Sequence, residues 1–160
     1  MKARLDFTRV SPKAVSAMYG LQTYVNNCGL EPRLLELVKM RASQLNGCAY
    51  CLDMHSKDAR AAGETEQRLY LLDAWREVSL YSERERAALE WCEALTRIDH
   101  GHVPDAVYAT AREHFSEEEL VSLALAVVAI NGWNRLSIAF RAEAGHYRPG
   151  MHDRPKAAAA

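Results

Sequence analysis

The stretch PRLLELVKMRASQLNGCAYCLDMHSKDARAAG, residues 32–63, contains two helical patterns separated by Asn46-Gly47. A proline opens the first pattern, whose apolar residues fall on one helical face: Leu34, Leu37, Val38, Ala42 and Leu45. Because Asn-Gly is typical of a helix end, we predict that this helix stops there. A second helix is predicted from about Cys48 to Ala62, before Gly63. Two helices in direct succession favour an all-α fold.

The rest of the chain extends the helical prediction in both directions. Ser11 and Pro12 read as an N-cap and first helical residue, and that helix continues to about Gly29. Further helices are predicted over TEQRLYLLDAW, residues 83–97, HVPDAVYATAREHF and residues 117–142. The second and fourth of these follow capping-box sequences, Ser82 with Glu85 and Ser116 with Glu119. Strand-like alternation of useful length does not occur, so we predict a compact helical bundle.

Size and charge limit the function classes. The chain has 160 residues, 49% hydrophobic and 26% charged, which suits one domain over residues 1–150 with a frayed tail over 151–160. A formal net charge of -1 argues against a nucleic-acid partner or an acidic membrane surface. The sequence contains neither a signal-peptide pattern nor an uninterrupted apolar run of about 18 residues, so we predict a cytoplasmic protein without membrane partners.

The run LVSLALAVVAI in the last helix is apolar on nearly all sides. A helix of this kind must be covered on more than one face. In so short a chain, part of that cover is predicted to come from another copy, which makes the protein a homo-oligomer. The alternative is the central helix of a monomeric bundle.

The four cysteines divide into two groups. Cys28 and Cys92 stand alone in helical patterns and are interpreted as small buried hydrophobic residues. Cys48 and Cys51 form a CxxC motif, and His55 follows one turn later, so at 100° per residue the three side chains lie within about 60° of each other. The motif is compatible with a redox pair, a zinc site or core packing.

Redox chemistry is the interpretation that these residues favour. The cysteines lie in the first turn of their helix, where free N–H groups and the helix dipole favour a thiolate. His55 is a nearby base, and a second thiol three residues away can convert a sulfenic acid or mixed disulfide into an internal disulfide. This chemistry needs no cofactor.

Zinc remains the alternative use of the motif. Cys48, Cys51 and His55 supply three plausible zinc ligands, and His100 or His102 would supply the fourth if the fold brought that loop close. A structural zinc site usually draws on two separate ligand clusters, and no second CxxC or HxxxH pattern is present. The metal reading is therefore the weaker one.

The same residues resemble a known family. A glutamate, eleven residues, CxxC, three residues and histidine occur here as Glu36, Cys48-Ala-Tyr-Cys51 and His55, the motif of AhpD-like alkylhydroperoxidases in the carboxymuconolactone decarboxylase superfamily. The resemblance is strong from Glu36 to Arg60 and looser at AINGWNRL in the last helix. Because four residues match in register on two helices, it is more specific than CxxC alone.

The resemblance implies a small all-helical trimer or hexamer that reduces hydroperoxides. It implies that Cys51 attacks the peroxide, that Cys48 resolves the product and faces the reductant, and that Glu36 and His55 relay protons. An external dithiol or a redox protein would restore the thiols. The helix dipole alone instead favours Cys48 as the thiol of lower pKa, and His55 favours Cys51, so the order of the cysteines stays open.

Four further residues carry separate expectations. The helical wheel alone places Glu36 on the surface, and an inward turn is expected to raise its pKa through burial. Tyr50 stands where well-known AhpD proteins have a histidine, and the wheel turns it away from the cysteine face. Asn131 and Asn134 lie on the apolar stripe of the last helix, where we expect amides that tie helices together rather than substrate ligands.

We therefore predict an all-α, homo-oligomeric thiol peroxidase that acts on hydroperoxides through a Cys48–Cys51 disulfide. One alternative is a disulfide reductase that acts on a protein partner. Another is a non-catalytic module whose cysteines are structural or bind zinc.

Overall fold

A computed structural model describes residues 2–152, and over this range the protein is all-helical with no strand. Residues 153–160, most of the predicted tail, lie outside the described residues. The α-helices are α1 (Phe7–Val10), α2 (Pro12–Asn26), α3 (Pro32–Asn46), α4 (Ala49–Ala61), α5 (Glu66–Leu71), α6 (Glu83–Thr96), α7 (Asp105–His114) and α8 (Glu117–Phe140). A 3-10 helix, Leu72–Glu77, follows α5 directly.

The break between α3 and α4 is made by a single glycine. Gly47 ends α3 in the left-handed conformation with φ of 66°, and its N–H donates to carbonyl groups of the preceding turn. Glycine adopts this conformation at low cost because it has no Cβ. The chain then turns into α4 with Cys48 at the N-cap position. The prediction of two helices separated at Asn46-Gly47 is confirmed.

Both predicted capping boxes are present. The Ser82 hydroxyl accepts the backbone N–H of Glu85, and the Glu85 carboxylate accepts the backbone N–H of Ser82. Ser116 and Glu119 make the same reciprocal pair at the start of α8. These sequence signals therefore fix the starts of the two long helices in the second half of the chain.

Other boundaries differ from the prediction. The side chain of Ser11 makes no capping bond, and α2 ends at Asn26 instead of near Gly29. The additional helix α1 precedes it, capped by Asp6, whose carboxylate accepts two backbone N–H groups. The predicted helix over TEQRLYLLDAW is α-helical only to Leu71 and then narrows to 3-10 geometry.

Helix α3 occupies the centre of the bundle and packs against α4, α6 and α8. Leu37, Val38 and Ala42 are fully buried in these contacts. One face of α8 is buried with α3, whereas Val121 and Val128 on another face are more than half exposed. By length and composition α8 is apolar enough to cross a membrane, but here it packs against α2, α3 and α6 as a bundle helix. A homo-oligomer that covers its outer face stays a prediction.

Candidate active site

The cysteine pair lies at the buried start of α4. Cys48 is the N-cap residue and Cys51 is the third residue of the helix, so the CxxC spacing brings both side chains to one side of the first turn. Their Sγ atoms are 2.6 Å apart, and both are free thiols. Each residue is only 1% exposed. The predicted juxtaposition of the two thiols is present.

Hydrogen bonding makes the two thiols unequal. The Cys51 thiol, as a donor to the Cys48 sulfur, holds the pKa of Cys48 below its ordinary value, and it outweighs the opposing effect of burial. The Cys51 backbone and the side chains of Ser137 and Asn134 lower the pKa of Cys48 further. The same bond and burial raise the pKa of Cys51. Cys48 is therefore the thiol that ionises first.

Glu36 points inward, contrary to the helical-wheel reading. Its carboxylate oxygens lie 2.8 Å from His55 Nδ1 and 2.8 Å from Lys39 Nζ. Burial opposes ionisation, but the hydrogen bond from His55, its charge and the Lys39 ammonium hold the pKa of Glu36 at about 2. The expectation that burial would raise this pKa is wrong. The reason is that Glu36 turns toward two donors on packing against α4.

This pairing changes the role that Glu36 can have. A carboxylate with so low a pKa stays ionised at neutral pH and accepts the proton on His55 Nδ1, which leaves Nε2 as the ring nitrogen able to accept a proton. Within residues 2–152 no hydrogen bond joins His55 to either cysteine sulfur. Glu36 therefore orients His55, and the proposed relay to the thiols is not a direct contact.

The asparagines of α8 tie the end of α3 to the cysteine pair. The amide of Asn46 donates to the side-chain oxygens of Asn131 and Asn134 at 2.9 and 2.8 Å. Asn134 in turn donates to the Ser43 hydroxyl at 3.1 Å and also hydrogen-bonds the cysteines. The helix-tying interpretation holds for Asn131, which has no contact with the thiols among its described bonds. Asn134 has both a tying role and a role at the site.

Ser137 is the site residue that the sequence interpretation missed. It is 5% exposed, and its side chain hydrogen-bonds the cysteine pair. It follows Asn134 by three residues, which places both on one face of α8. That spacing was a usable signal, because a serine on the same stripe as a buried asparagine is placed to serve the same site.

Tyr50 lines the groove beside Cys48. With Cys48 and Ser137 it borders a volume of about 760 Å³ along the start of α4 and the end of α8. Its hydroxyl makes a 2.7 Å hydrogen bond with His152 Nε2 on the C-terminal segment, and no hydrogen bond joins it to a thiol within the described residues. That Tyr50 turns away from the face shared by Cys48 and Cys51 stays a prediction.

The C-terminal segment, residues 142–152, is fastened along α4. Asp53 accepts the Gly145 N–H, Lys57 donates to the Tyr147 carbonyl, and the Tyr147 hydroxyl donates to Asp58. These contacts are spaced along one side of α4 over about two turns. Residues far apart in the sequence thus form one wall of the groove.

The structure does not gather the predicted zinc ligands. In the described part of the chain, the one group of three ligand side chains within 4.8 Å is Glu36, His55 and Asp58, without a cysteine. Lys39 already supplies a cation to Glu36 at 2.8 Å. His100 lies on an exposed loop beside Asp99. The thiols are therefore available for chemistry of their own.

The two remaining cysteines fit their predicted packing roles. Cys92 is fully buried, and burial raises its pKa to about 12. Cys28 is half-buried against the main core. A raised pKa disfavours the thiolate, so Cys92 is inert at neutral pH.

Comparisons with known proteins agree with this geometry. The sequence model of the carboxymuconolactone decarboxylase family matches residues 11–94. The chain is 45% identical to YdfG, an uncharacterized protein of Bacillus subtilis, over 87% of this chain and 95% of YdfG. These matches include both helices that carry the motif.

Solved structures extend the likeness to the fold. A crystal structure from Agrobacterium tumefaciens matches with a TM-score of 0.88 and 44% identity, over 91% of this chain and 100% of that one. That protein is of unknown function, with an AhpD antioxidant defence role suggested for it. The debrominase Bmp8 matches with a TM-score of 0.78 and 21% identity, over 87% of this chain and 75% of Bmp8. At that identity the match shows the fold alone.

Proposed function

The chain belongs to the carboxymuconolactone decarboxylase family and has the AhpD-like fold, and from that premise we propose that it is a thiol-dependent hydroperoxide reductase. Enzymes occur among proteins of this fold, and one of them is a debrominase, so the fold alone does not choose the reaction. The choice rests on the site.

The single observation that carries the proposal is the inequality of two adjacent thiols. Cys48 has a lowered pKa and lines the groove, while Cys51 lies 2.6 Å away with a raised pKa. A thiolate next to a protonated thiol is the arrangement that attack followed by resolution requires.

The reaction balances with these groups and an external dithiol. The Cys48 thiolate attacks the outer oxygen of the hydroperoxide, the O–O bond breaks, and the alkoxide takes a proton to leave as an alcohol. The Cys51 sulfur then attacks the Cys48 sulfenic acid, which forms the disulfide and releases water. An external dithiol, small or carried by a redox protein, reduces the disulfide and is itself oxidised.

This order reverses the roles that the family resemblance implies, in which Cys51 attacks first. The groove, which Cys48 lines, and the hydrogen bond from the Cys51 thiol support Cys48 as the attacking thiol. His55, one turn after Cys51 on α4 and hydrogen-bonded to Glu36, supports proton movement near the pair.

The test is a thiol count on purified protein before and after one equivalent of cumene hydroperoxide. We expect two thiols to disappear together in the wild type and in Cys92→Ser, the matched control for a cysteine outside the site. In Cys51→Ser, a sulfenic acid should be trapped on Cys48 by a dimedone-type reagent.

Three results would change the proposal. Trapping in Cys48→Ser but not in Cys51→Ser would give the attack to Cys51. If peroxide leaves all thiols intact while an oxidised protein partner consumes them, the function is disulfide reduction. Release of zinc to a chelator would identify the non-catalytic alternative.

A further inference from the structure

The groove beside Cys48 holds positive charge that the described chain does not neutralise. Arg141 and Lys2 line it, and neither makes an ion pair within residues 2–152. Glu143 is the acidic lining residue, and its carboxylate accepts the backbone N–H of Ala3 at 3.3 Å. Some other exposed arginines have a carboxylate partner, such as Arg60 with Glu66 at 2.9 Å, whereas Arg141 is left with the groove beside the thiol.

The backbone at Arg141 adds a second observation. Arg141 is the C-cap of α8 and has φ of 57° and ψ of 55°, the left-handed conformation in which helices usually place glycine. A residue with a Cβ pays a conformational cost there that glycine does not. The arginine thus stands where backbone geometry favours glycine, and it is one of the residues that line the groove.

The remaining lining of the groove is suited to a hydrocarbon chain. Ile138 is one turn before Arg141 on α8, and Ala49, Ala142 and Ala144 contribute small apolar surfaces. A volume of about 760 Å³ is in the range of small-molecule sites. The groove therefore joins an unpaired cation, an apolar lining and a reactive thiol.

We propose that Arg141 binds the carboxylate of an acidic hydroperoxide and thereby sets the substrate preference of the Cys48 site. A guanidinium holds a carboxylate through two parallel hydrogen bonds, which fixes the orientation of the ligand as well as its affinity. The alkyl portion then lies along the apolar lining with its peroxide at the thiol. This inference rests on the proposed peroxide reaction and adds the class of substrate.

The test compares linoleic acid hydroperoxide with its methyl ester, which differ only in the carboxylate charge. Dithiothreitol serves as reductant because it is neutral. We expect the wild type to favour the acid by about 10-fold in kcat/KM, mainly through KM, the factor typical of one charge-assisted hydrogen-bonded pair. In Arg141→Gly this preference should fall to about 2-fold or less, because the acid loses its partner whereas the ester has no charge for Arg141 to bind.

The variant is designed to retain the fold, since glycine fits the left-handed C-cap without cost. Arg148→Gly is the matched control, because it removes the same charge from the exposed C-terminal segment but does not line the groove. We expect it to keep the wild-type preference. An equal loss in Arg148→Gly, or an unchanged preference in Arg141→Gly, would overturn the inference.

A second measurement separates this inference from the proposed function. If the wild type does not react with neutral cumene hydroperoxide, the peroxidase proposal is refuted by that result alone. The Arg141 inference is then tested by the rate of thiol modification, which is compared between the anionic disulfide DTNB and the neutral disulfide dithiodipyridine. Arg141→Gly should slow only the anionic reagent, and equal slowing of both, or of neither, would refute the role of Arg141.

Discussion

The first turn of α4 and the middle of α6 each bury a cysteine, with opposite chemical results. Cys48 is 1% exposed and Cys92 is 0% exposed. The pKa of Cys48 is lowered by hydrogen-bond donors at a helix start, whereas burial within α6 raises the pKa of Cys92 to about 12. The hydrogen-bond contacts of Cys92 Sγ are the Val38 carbonyl at 3.4 Å and the Thr96 hydroxyl. The difference indicates that hydrogen-bond donors, and not exposure, set whether the pKa of a buried thiol is lowered or raised here.

Alkylation rates give the largest expected contrast between the two regions. At pH 7 we expect iodoacetamide to modify Cys48 at least about 1,000-fold faster than Cys92, because a pKa about 12 leaves almost no thiolate. The Cys48 rate should rise through the neutral range and then level off. Peptide mass spectrometry on the Cys51→Ser background measures both sites at once. Equal alkylation rates of Cys48 and Cys92 in the folded protein would contradict the expected difference in their pKa values.

Glu36→Gln tests whether the Glu36–His55 pair contributes to the stability of the fold or to the reactivity of the thiols. The pKa of Glu36 is lowered to about 2, so its stabilising contribution is present above about pH 4.5 and is lost as the pH falls toward 2. We expect the variant to lose about 2–3 kcal/mol of unfolding free energy at pH 7, and nothing at pH 2, measured by urea denaturation.

The control for that variant is Glu113→Gln, which alters an exposed glutamate without an ion pair or hydrogen bond in the described structure. It should change the unfolding free energy by less than about 0.5 kcal/mol. Thiol alkylation should stay within about 3-fold of wild type in both variants, because His55 has no direct bond to the sulfurs. A pH-independent loss in Glu36→Gln would show that packing, and not charge, explains the effect.

Ser137→Ala should shift the pKa of Cys48 slightly toward the raised pKa of Cys92. Removing one donor is expected to raise the pKa of Cys48 and slow its alkylation by about 3-fold to 10-fold at pH 7. The pH profile is the decisive measurement, since a pure packing defect would lower the rate at every pH without moving the midpoint. Ser122→Ala, on the same helix but bonded to Tyr24, is the matched control.

Cys92→Ala is expected to have the smallest effect on chemistry. Peroxide-dependent thiol loss should remain within about 2-fold of wild type, while the cavity left in α6 should cost about 1 kcal/mol of unfolding free energy. Turnover and urea denaturation on the same preparation separate the two. A large loss of turnover at unchanged stability would mean that Cys92 takes part in the reaction.

The sequence alone predicted the elements that depend on local signals. The helix break at Gly47, both capping boxes and the shared face of Cys48 and Cys51 follow from spacing and capping chemistry within a few residues. The all-α fold follows from the same signals. These features need no knowledge of which helices touch.

The features that the sequence did not predict all depend on long-range packing. Glu36 turns inward because α4 covers its side of α3, which a helical wheel of α3 alone cannot reveal. Tyr50 joins the groove because residues 142–152 fold back along α4. Ser137 reaches the thiols from the far end of the chain. In each case a partner more than 15 residues away determines the environment.

The distribution of the site along the chain also orders its assembly during synthesis. Cys48 and Cys51 leave the ribosome early, whereas Asn134 and Ser137, which lower the pKa of Cys48, are made more than 80 residues later. Because chains emerge from the N-terminus first, the nascent protein lacks the Asn134 and Ser137 donors until α8 docks. A chain that ends before Asn134 keeps the Cys51 donor but should have a higher Cys48 pKa than the complete protein and react more slowly with peroxide. Full reactivity would then be acquired only on completion of the fold, which limits oxidation of the growing chain.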